Sequence, residues 1–202
     1  MTVRVLDPPS LVDGDCPGLE DASNLEFIDG RLVERNVSME SSWVSSDVMI
    51  VVGGFVRTNG LGAMTDADLG LRLFPDDPTR TRRADVAFTA KGRAPQSSGY
   101  MRVAPDLVVE VVSPGDLAGD VLAKADEWLR AGVRMVWVVY PQNEVVHVYR
   151  RGERPIVLGA EDEIEGYDVI PGFRSTVAEF FLTARVQRAE AAAAEPTPAP
   201  AP

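Results

Sequence analysis

The sequence predicts one α/β domain built on a mixed β-sheet with helices packed against it. Three observations point there. The segments follow one another as hairpin, helix, strands, helix, strands. The run "PDLVVEVVS" (105–113) is apolar on both alternating faces, as a strand covered from both sides must be. The length of 202 residues suits one hydrophobic core with short extensions.

Residues 1–24 are rich in Asp, Pro and Gly and are expected to form an extended arm. "LEFIDGRLVERN" then sets Asp29-Gly30 between two alternating runs, a strong hairpin signal. In "SMESSWVSSDVMIVVGGFVRTNG" the residues Val44, Val48, Val51, Val52, Phe55 and Val56 fall on one helical face, with Ser38 as cap and Gly60 as stop. The pair Gly53-Gly54 weakens such a helix by roughly 1 kcal/mol per glycine; close packing against a sheet would account for it. Three strands are expected next, at "LGLRLF", "ADVAFTA" and "PDLVVEVVS". "DVLAKADEWLRAG" reads as a helix with Val121, Leu122, Ala125, Trp128 and Leu129 turned inward and Gly132 ending it. "VRMVWVVYP" and "EVVHVYRRG" form a strand pair across Pro141-Gln142-Asn143, and the aromatics of "IPGFRSTVAEFF" seal one end of the core. From Ala184 an Ala/Glu-rich stretch runs into "EPTPAPAP". The expected division is therefore an arm at 1–24, a domain at 25–183 and a disordered Ala/Pro-rich tail at 184–202.

Composition narrows the function. No apolar run is long enough to cross a bilayer, the N-terminus lacks the pattern of a signal peptide, and the lone Cys16 cannot form an internal disulfide. The expected location is the cytoplasm, with no membrane partner. A net charge of −11 argues against broad, non-specific nucleic-acid binding. The charge is uneven, however: Arg80, Arg82, Arg83, Lys91, Arg93 and Arg102 cluster with Asp85 as the only acid among them. A solvated loop and a local phosphate-facing patch both fit this run.

The valine strand also raises a chemical question. Asp106, Val108, Glu110 and Val112 share one face, so Glu110 is a carboxylate in a strand covered on both sides. Such a charge needs a cation or strong donors, either in a salt bridge to an arginine or as a metal ligand. Asp106 and Glu110 cannot hold one ion, because four strand residues span about 13 Å whereas carboxylate oxygens lie roughly 2.0–2.6 Å from Mg2+ or Ca2+. A partner must come from a neighbouring strand, and Asp85 in "RRADVAF" can converge with Glu110 if the two strands pair. Lys124, near the start of the following helix, is within reach of the strand's C-terminal end.

The stretches "RRADVAF", "APDLVVEVVSPGDLAGDVLAKADEWLRAGVRMVWVVYP", "EVVHVYRRG" and "IPGFRSTVAEFF" together resemble the Uma-two family of restriction endonuclease-like proteins, within the PD-(D/E)XK nuclease superfamily. The resemblance spans roughly Leu25 to Leu182. It implies a restriction endonuclease-like sandwich and metal-dependent hydrolysis of DNA phosphodiester bonds. Asp85 falls on the motif aspartate, Glu110 on the (D/E) of the third motif, and Lys124 on a lysine displaced into the following helix. Asp85, Glu110 and the Val111 carbonyl would position Mg2+ or Mn2+, Arg82 and Arg83 would hold a phosphate backbone, and Glu40 (or Glu34) would supply the acid from the first helix. Two positions depart from the pattern. Ala84 stands where proline often precedes the aspartate, and Val112 occupies the motif lysine position.

That second departure leaves three functions open: a metal-dependent endonuclease, a catalytically silent relative serving as a binding or assembly module, and a scaffold in which Glu110 merely pairs with an arginine. With DNA as partner, a homodimer is open as well, since an exposed edge strand would permit one. His147 is the only histidine and is expected on an exposed strand face; one Cys and one His exclude an ordinary zinc site, and a Ser-His-Asp site has no support. No nucleotide-binding glycine motif occurs, and Trp43, Trp128 and Trp137 are expected in the core.

Overall fold

The first hairpin is closed by backbone that only a few residues adopt. In the computed structural model, which describes residues 25–94 and 99–194, β1 (Leu25–Ile28) and β2 (Arg31–Glu34) pair antiparallel around Asp29 and Gly30, at φ 49° and 75°. Two successive positive φ values match the tight turn that suits strand twist. The expected arm at 1–24 with Cys16, and the end of the tail from residue 195, lie outside the described residues.

Helix α1 (Met39–Thr58) begins where Ser38 accepts the Ser41 N–H at 3.0 Å while Ser41 Oγ accepts the Ser38 N–H at 3.0 Å, a reciprocal cap. It ends at Asn59, followed by Gly60 at φ 61°. Its ridge Val44, Val48, Val52 and Val56 is buried at four-residue spacing, which sets it against the sheet.

That sheet contains β3 (Gly62–Asp66), β4 (Val86–Ala90), β5 (Leu107–Val111), β6 (Met135–Tyr140), β7 (Val145–Arg150) and β8 (Ile156–Leu158), side by side in that order. All neighbours are antiparallel except β5 and β6, which run parallel because α2 (Ala118–Arg130) crosses between them. The alternation of β5 divides the core: Leu107, Val109 and Val111 pack toward α1, while Val108 packs with Ala125 and Trp128 of α2. A small ribbon of β9 (Glu163–Glu165) and β10 (Arg174–Thr176), a 3-10 turn (Val177–Phe181) and α3 (Leu182–Ala194) complete the layer on the α1 side. Phe173, Phe180 and Trp137 meet there with ring centroids 5.8–6.0 Å apart.

Several expectations change. "LGLRLF" is not a strand. Leu71 forms single bridges to Arg82 and Met101, two segments that themselves lack a ladder, so its burial comes from packing alone. The strand beside β4 is "GAMTD", an edge whose weak intrinsic preference is overridden by pairing with β4. Leu122 is exposed, because α2 presents a narrow stripe centred on Ala125 and Trp128. At Gly54 an added Cβ would meet nothing within 4 Å and at Gly53 only ordinary contacts, so close packing does not account for that pair. His147 is half-buried between Tyr140 and Tyr149. Helix α3 runs straight across the boundary expected at 183/184: Ala184 is buried, and Asp47 of α1 accepts the Thr183 N–H at 2.8 Å.

Candidate active site

The antiparallel register of β4 and β5 brings Val86 opposite Val109, and one step further position 85 comes opposite position 110. Asp85 stands just before β4 and its Oδ2 accepts the Val111 N–H at 2.7 Å, the amide next to Glu110. Its Oδ1 is paired with the Arg35 guanidinium.

Glu110 is gripped from the helix above. Lys124 and Trp128 lie four residues apart on α2 and so project from one face. Lys124 Nζ donates to Glu110 Oε2 at 2.9 Å and Trp128 Nε1 to Oε1 at 2.7 Å. Burial pushes the Glu110 carboxyl up to about 7; the charges of Asp85 and Glu26 add to this, and Lys124 opposes it. Burial works against the Lys124 ammonium, but the carboxylates of Glu110, Glu26 and Asp85 outweigh it and raise its pKa.

Glu26 is the acid that sequence reasoning missed. It lies on β1, almost fully buried, with Oε1 accepting the Arg83 N–H at 2.8 Å and standing 3.2 Å from Lys124 Nζ. Burial opposes its charge, yet Lys124, Arg82 and the Arg83 amide lower its pKa to about 2. The hairpin delivers it through a tertiary bridge: Phe27 and Thr81 exchange backbone hydrogen bonds of 2.9 and 2.8 Å, which sets Glu26 beside Arg82. The only signal in the sequence is a carboxylate inside the apolar run "LEFI", which names no partner.

Glu40, the acid expected from the first helix, is turned elsewhere: it lies in the first turn of α1 and pairs with Arg188 of α3 at 3.5 Å. Glu34 is exposed at the end of β2. Arg82 and Arg83, expected to hold a phosphate backbone, are engaged with partners inside the protein. Arg82 is paired with Glu26 at 2.9 Å and with Glu127, and the buried Arg83 donates to the carbonyls of Leu25 and Asp68. Both are turned inward because the acids and carbonyls that need them lie beneath the hairpin. In the same basic run Arg93 pairs with the buried Asp106, leaving Lys91 and Arg102 exposed. Asp106 also accepts the Ala90 N–H at 2.8 Å, so it anchors the opposite end of β5 from Glu110.

Asp85 lines a cleft of about 240 Å3 with Arg35, Asn36, Ser41, Asp66, Asp68 and Ser113. Among the described residues no group of three or more His, Cys, Asp or Glu side chains is arranged to hold a metal ion. The donor chemistry nonetheless suits a hard ion: Mg2+ takes one or two carboxylates and keeps several waters, and Asp85, Glu110 and the end of β5 offer oxygen donors. Without an ion each acid here already has a cation partner. Glu26, Asp85, Glu110 and Glu127 pair with Arg35, Arg80, Arg82 and Lys124, and Arg80 also reaches Asp29 and Asp77.

A family model described as "Uma2: Putative restriction endonuclease" matches residues 15–178. Among solved structures, the crystal structure of "a putative nuclease belonging to DUF820" from Anabaena variabilis aligns with a TM-score of 0.67 at 19% identity, covering 78% of this chain and 89% of that one. Identity that low speaks for a shared fold, and the mixed sheet flanked by helices agrees with it. No curated protein matches. Among the described residues no helix is long and apolar enough to cross a membrane.

Proposed function

The chain belongs to the Uma2 family, whose model is described as "Putative restriction endonuclease", and on that premise we propose that it is a metal-dependent nuclease hydrolysing DNA phosphodiester bonds at Asp85, Glu110 and Lys124. The observation that carries this reading is the meeting of two carboxylates at the end of β5 with a lysine 2.9 Å from one of them. Asp85, Glu110 and the Val111 carbonyl would hold the ion. Mg2+ or Mn2+ bound there would polarise the phosphate and lower the pKa of an attacking water. Glu110 supports the reading electrostatically: a carboxyl raised chiefly by burial, with Asp85 and Glu26 adding, gains from a divalent cation.

Burial works against the Lys124 ammonium, but the carboxylates of Glu110, Glu26 and Asp85 outweigh it and raise its pKa. Lys124 therefore serves as a fixed positive charge toward the developing phosphate charge rather than as a base. Trp128 and Lys124 together fix the plane of the Glu110 carboxylate. Ser41 and Ser113, with hydroxyls 2.9 Å apart, form part of the cleft wall through which a backbone would approach.

A second reading, a silent nuclease fold used for binding or assembly, draws on the cation partners that Asp85 and Glu110 already have and on Val112 at the motif lysine position. Calorimetry with Mn2+ and plasmid cleavage separate the two. The nuclease reading expects Mn2+ binding that Asp85→Ala and Glu110→Ala each abolish, and cleavage that Lys124→Ala slows by roughly 10²-fold. Binding without cleavage would leave the silent fold, and binding unchanged in both carboxylate variants would discard the metal site.

A further inference from the structure

Arg35 and Asp85 form an ion pair in the wall of the cleft, on the carboxylate that a divalent cation would need. The Arg35 guanidinium donates to Asp85 Oδ1, with side chains 10% and 17% exposed, while Oδ2 is taken by the Val111 N–H at 2.7 Å. Both oxygens of the motif aspartate are thus engaged. We propose that Arg35 is a latch: its guanidinium stands in for the cation on Asp85, and metal entry requires its release into the cleft. This rests on the metal-site reading of Asp85 and Glu110.

Like-charge repulsion supports the exchange. A dication bound to Asp85 would sit against the Arg35 guanidinium on the same carboxylate, where two cations repel unless one moves. The site's other three cations are poorly placed to leave. Lys124 is shared by Glu110, Glu26 and the Arg83 carbonyl, Arg82 by Glu26 and Glu127, and Arg80 by Glu127, Asp29 and Asp77. Arg35 has a single ion-pair partner among the described residues.

The connection that carries it also favours side-chain movement over backbone movement. Asn36 pins the chain by donating to the Pro114 carbonyl at 2.6 Å and to Asp116 Oδ1 at 3.3 Å, and Ser38 is fixed as the cap of α1. The released guanidinium also has somewhere to go, since Asp66 and Asp68 line the same cleft. A long, always-charged side chain on a fixed backbone, between two sets of carboxylates, has two arrangements.

The test is Mn2+ calorimetry on the full chain, comparing wild type, Arg35→Gln and Arg35→Lys, with thermal melts to confirm folding. Arg35→Gln should bind Mn2+ roughly tenfold more tightly, about the worth of one charge-assisted hydrogen bond, and Arg35→Lys should stay near wild type. Loss of a nearby positive charge alone also eases Mn2+ binding, so the Arg35 Nε–H resonance of wild type is followed on addition of Mg2+ as well: release shifts it, and a resonance unmoved at saturation overturns the latch. Equal or weaker binding by Arg35→Gln, with wild type binding normally, overturns the latch and leaves the metal site standing. No binding in either protein overturns both. If Arg35→Gln does not fold, that resonance alone decides.

Discussion

Trp128 Nε1 lies 2.7 Å from Glu110 Oε1, a hydrogen bond between a fully buried indole and a carboxylate on the strand below it. Lys124, one helical turn earlier, takes the other oxygen. An indole can donate but never accept, so this contact favours the oxygen's lone pairs and fixes the carboxylate plane. Trp128→Phe keeps most of the packing and removes the donor. Leaving that buried oxygen unsatisfied should cost about 1–3 kcal/mol, read by urea denaturation. A double-mutant cycle with Glu110→Leu, which removes the acceptor, isolates the contact from the lost ring volume. Strictly additive effects would show that the hydrogen bond contributes nothing.

Glu110 and Glu26 should give stability opposite dependences on pH. Glu110 titrates in the folded protein near 7 against an ordinary 4.5, raised chiefly by burial. Between those values the folded chain holds a proton that the unfolded chain has lost, so raising the pH through that window costs stability, up to about 3 kcal/mol. Glu26, lowered to about 2 by Lys124 and Arg82 against the pull of burial, stabilises above 4.5 and loses that contribution as pH falls toward 2. Glu110→Gln should flatten the loss between pH 4.5 and 7, and Glu26→Gln should flatten the acid limb. Denaturation curves across pH 2–8 check both, and an unchanged slope in either variant refutes the corresponding assignment.

The regular elements explain what is legible in the sequence. Glu110, Lys124 and Trp128 sit on a strand and a helix whose periods give each side chain a face, and Asp85 opens a strand whose register follows from pairing. Glu26 and Arg35 come from the hairpin, and they reach Lys124 and Asp85 only because Phe27 bridges Thr81, a contact between distant segments without local pattern. The arginine run shows the same limit: its charge is plain in "RTRRAD", but its direction depends on Glu26 and Glu127, each more than forty residues from Arg82. "LGLRLF" has the alternation of a strand and lacks a ladder, whereas "GAMTD" has neither strong propensity nor alternation and gains a ladder from β4. Pairing outranks propensity at the sheet edge.

Helix α3 should prove part of the folding unit. Beyond Ala184 in the core, Arg185 and Arg188 pair with Glu144 in the β6–β7 turn, and Asp47 accepts both the backbone N–H and the hydroxyl of Thr183. A chain ending at Thr183 should lose about 2 kcal/mol, chiefly from lost packing, and melt roughly 5 °C or more below the full chain. One ending at Ala194 should melt with it. Identical melting of the two truncated chains would place the boundary at 183 after all.

Gly54 offers a stabilising substitution. It lies in the interior of α1, where glycine costs roughly 0.5–1 kcal/mol relative to alanine through the backbone freedom it surrenders. An added Cβ there meets nothing within 4 Å, so Gly54→Ala should recover most of that and raise the melting temperature by about 1–3 °C. Gly53→Ala should be tolerated, since its Cβ would stand 3.5 Å from Met64 Cγ, an ordinary contact. Gly62→Ala is the contrasting case: its Cβ would fall 2.1 Å from the Thr89 carbonyl oxygen, inside the β3–β4 pairing, and backbone cannot give way without breaking the ladder. A melting temperature lowered by Gly54→Ala would refute the assignment of open space beside that position.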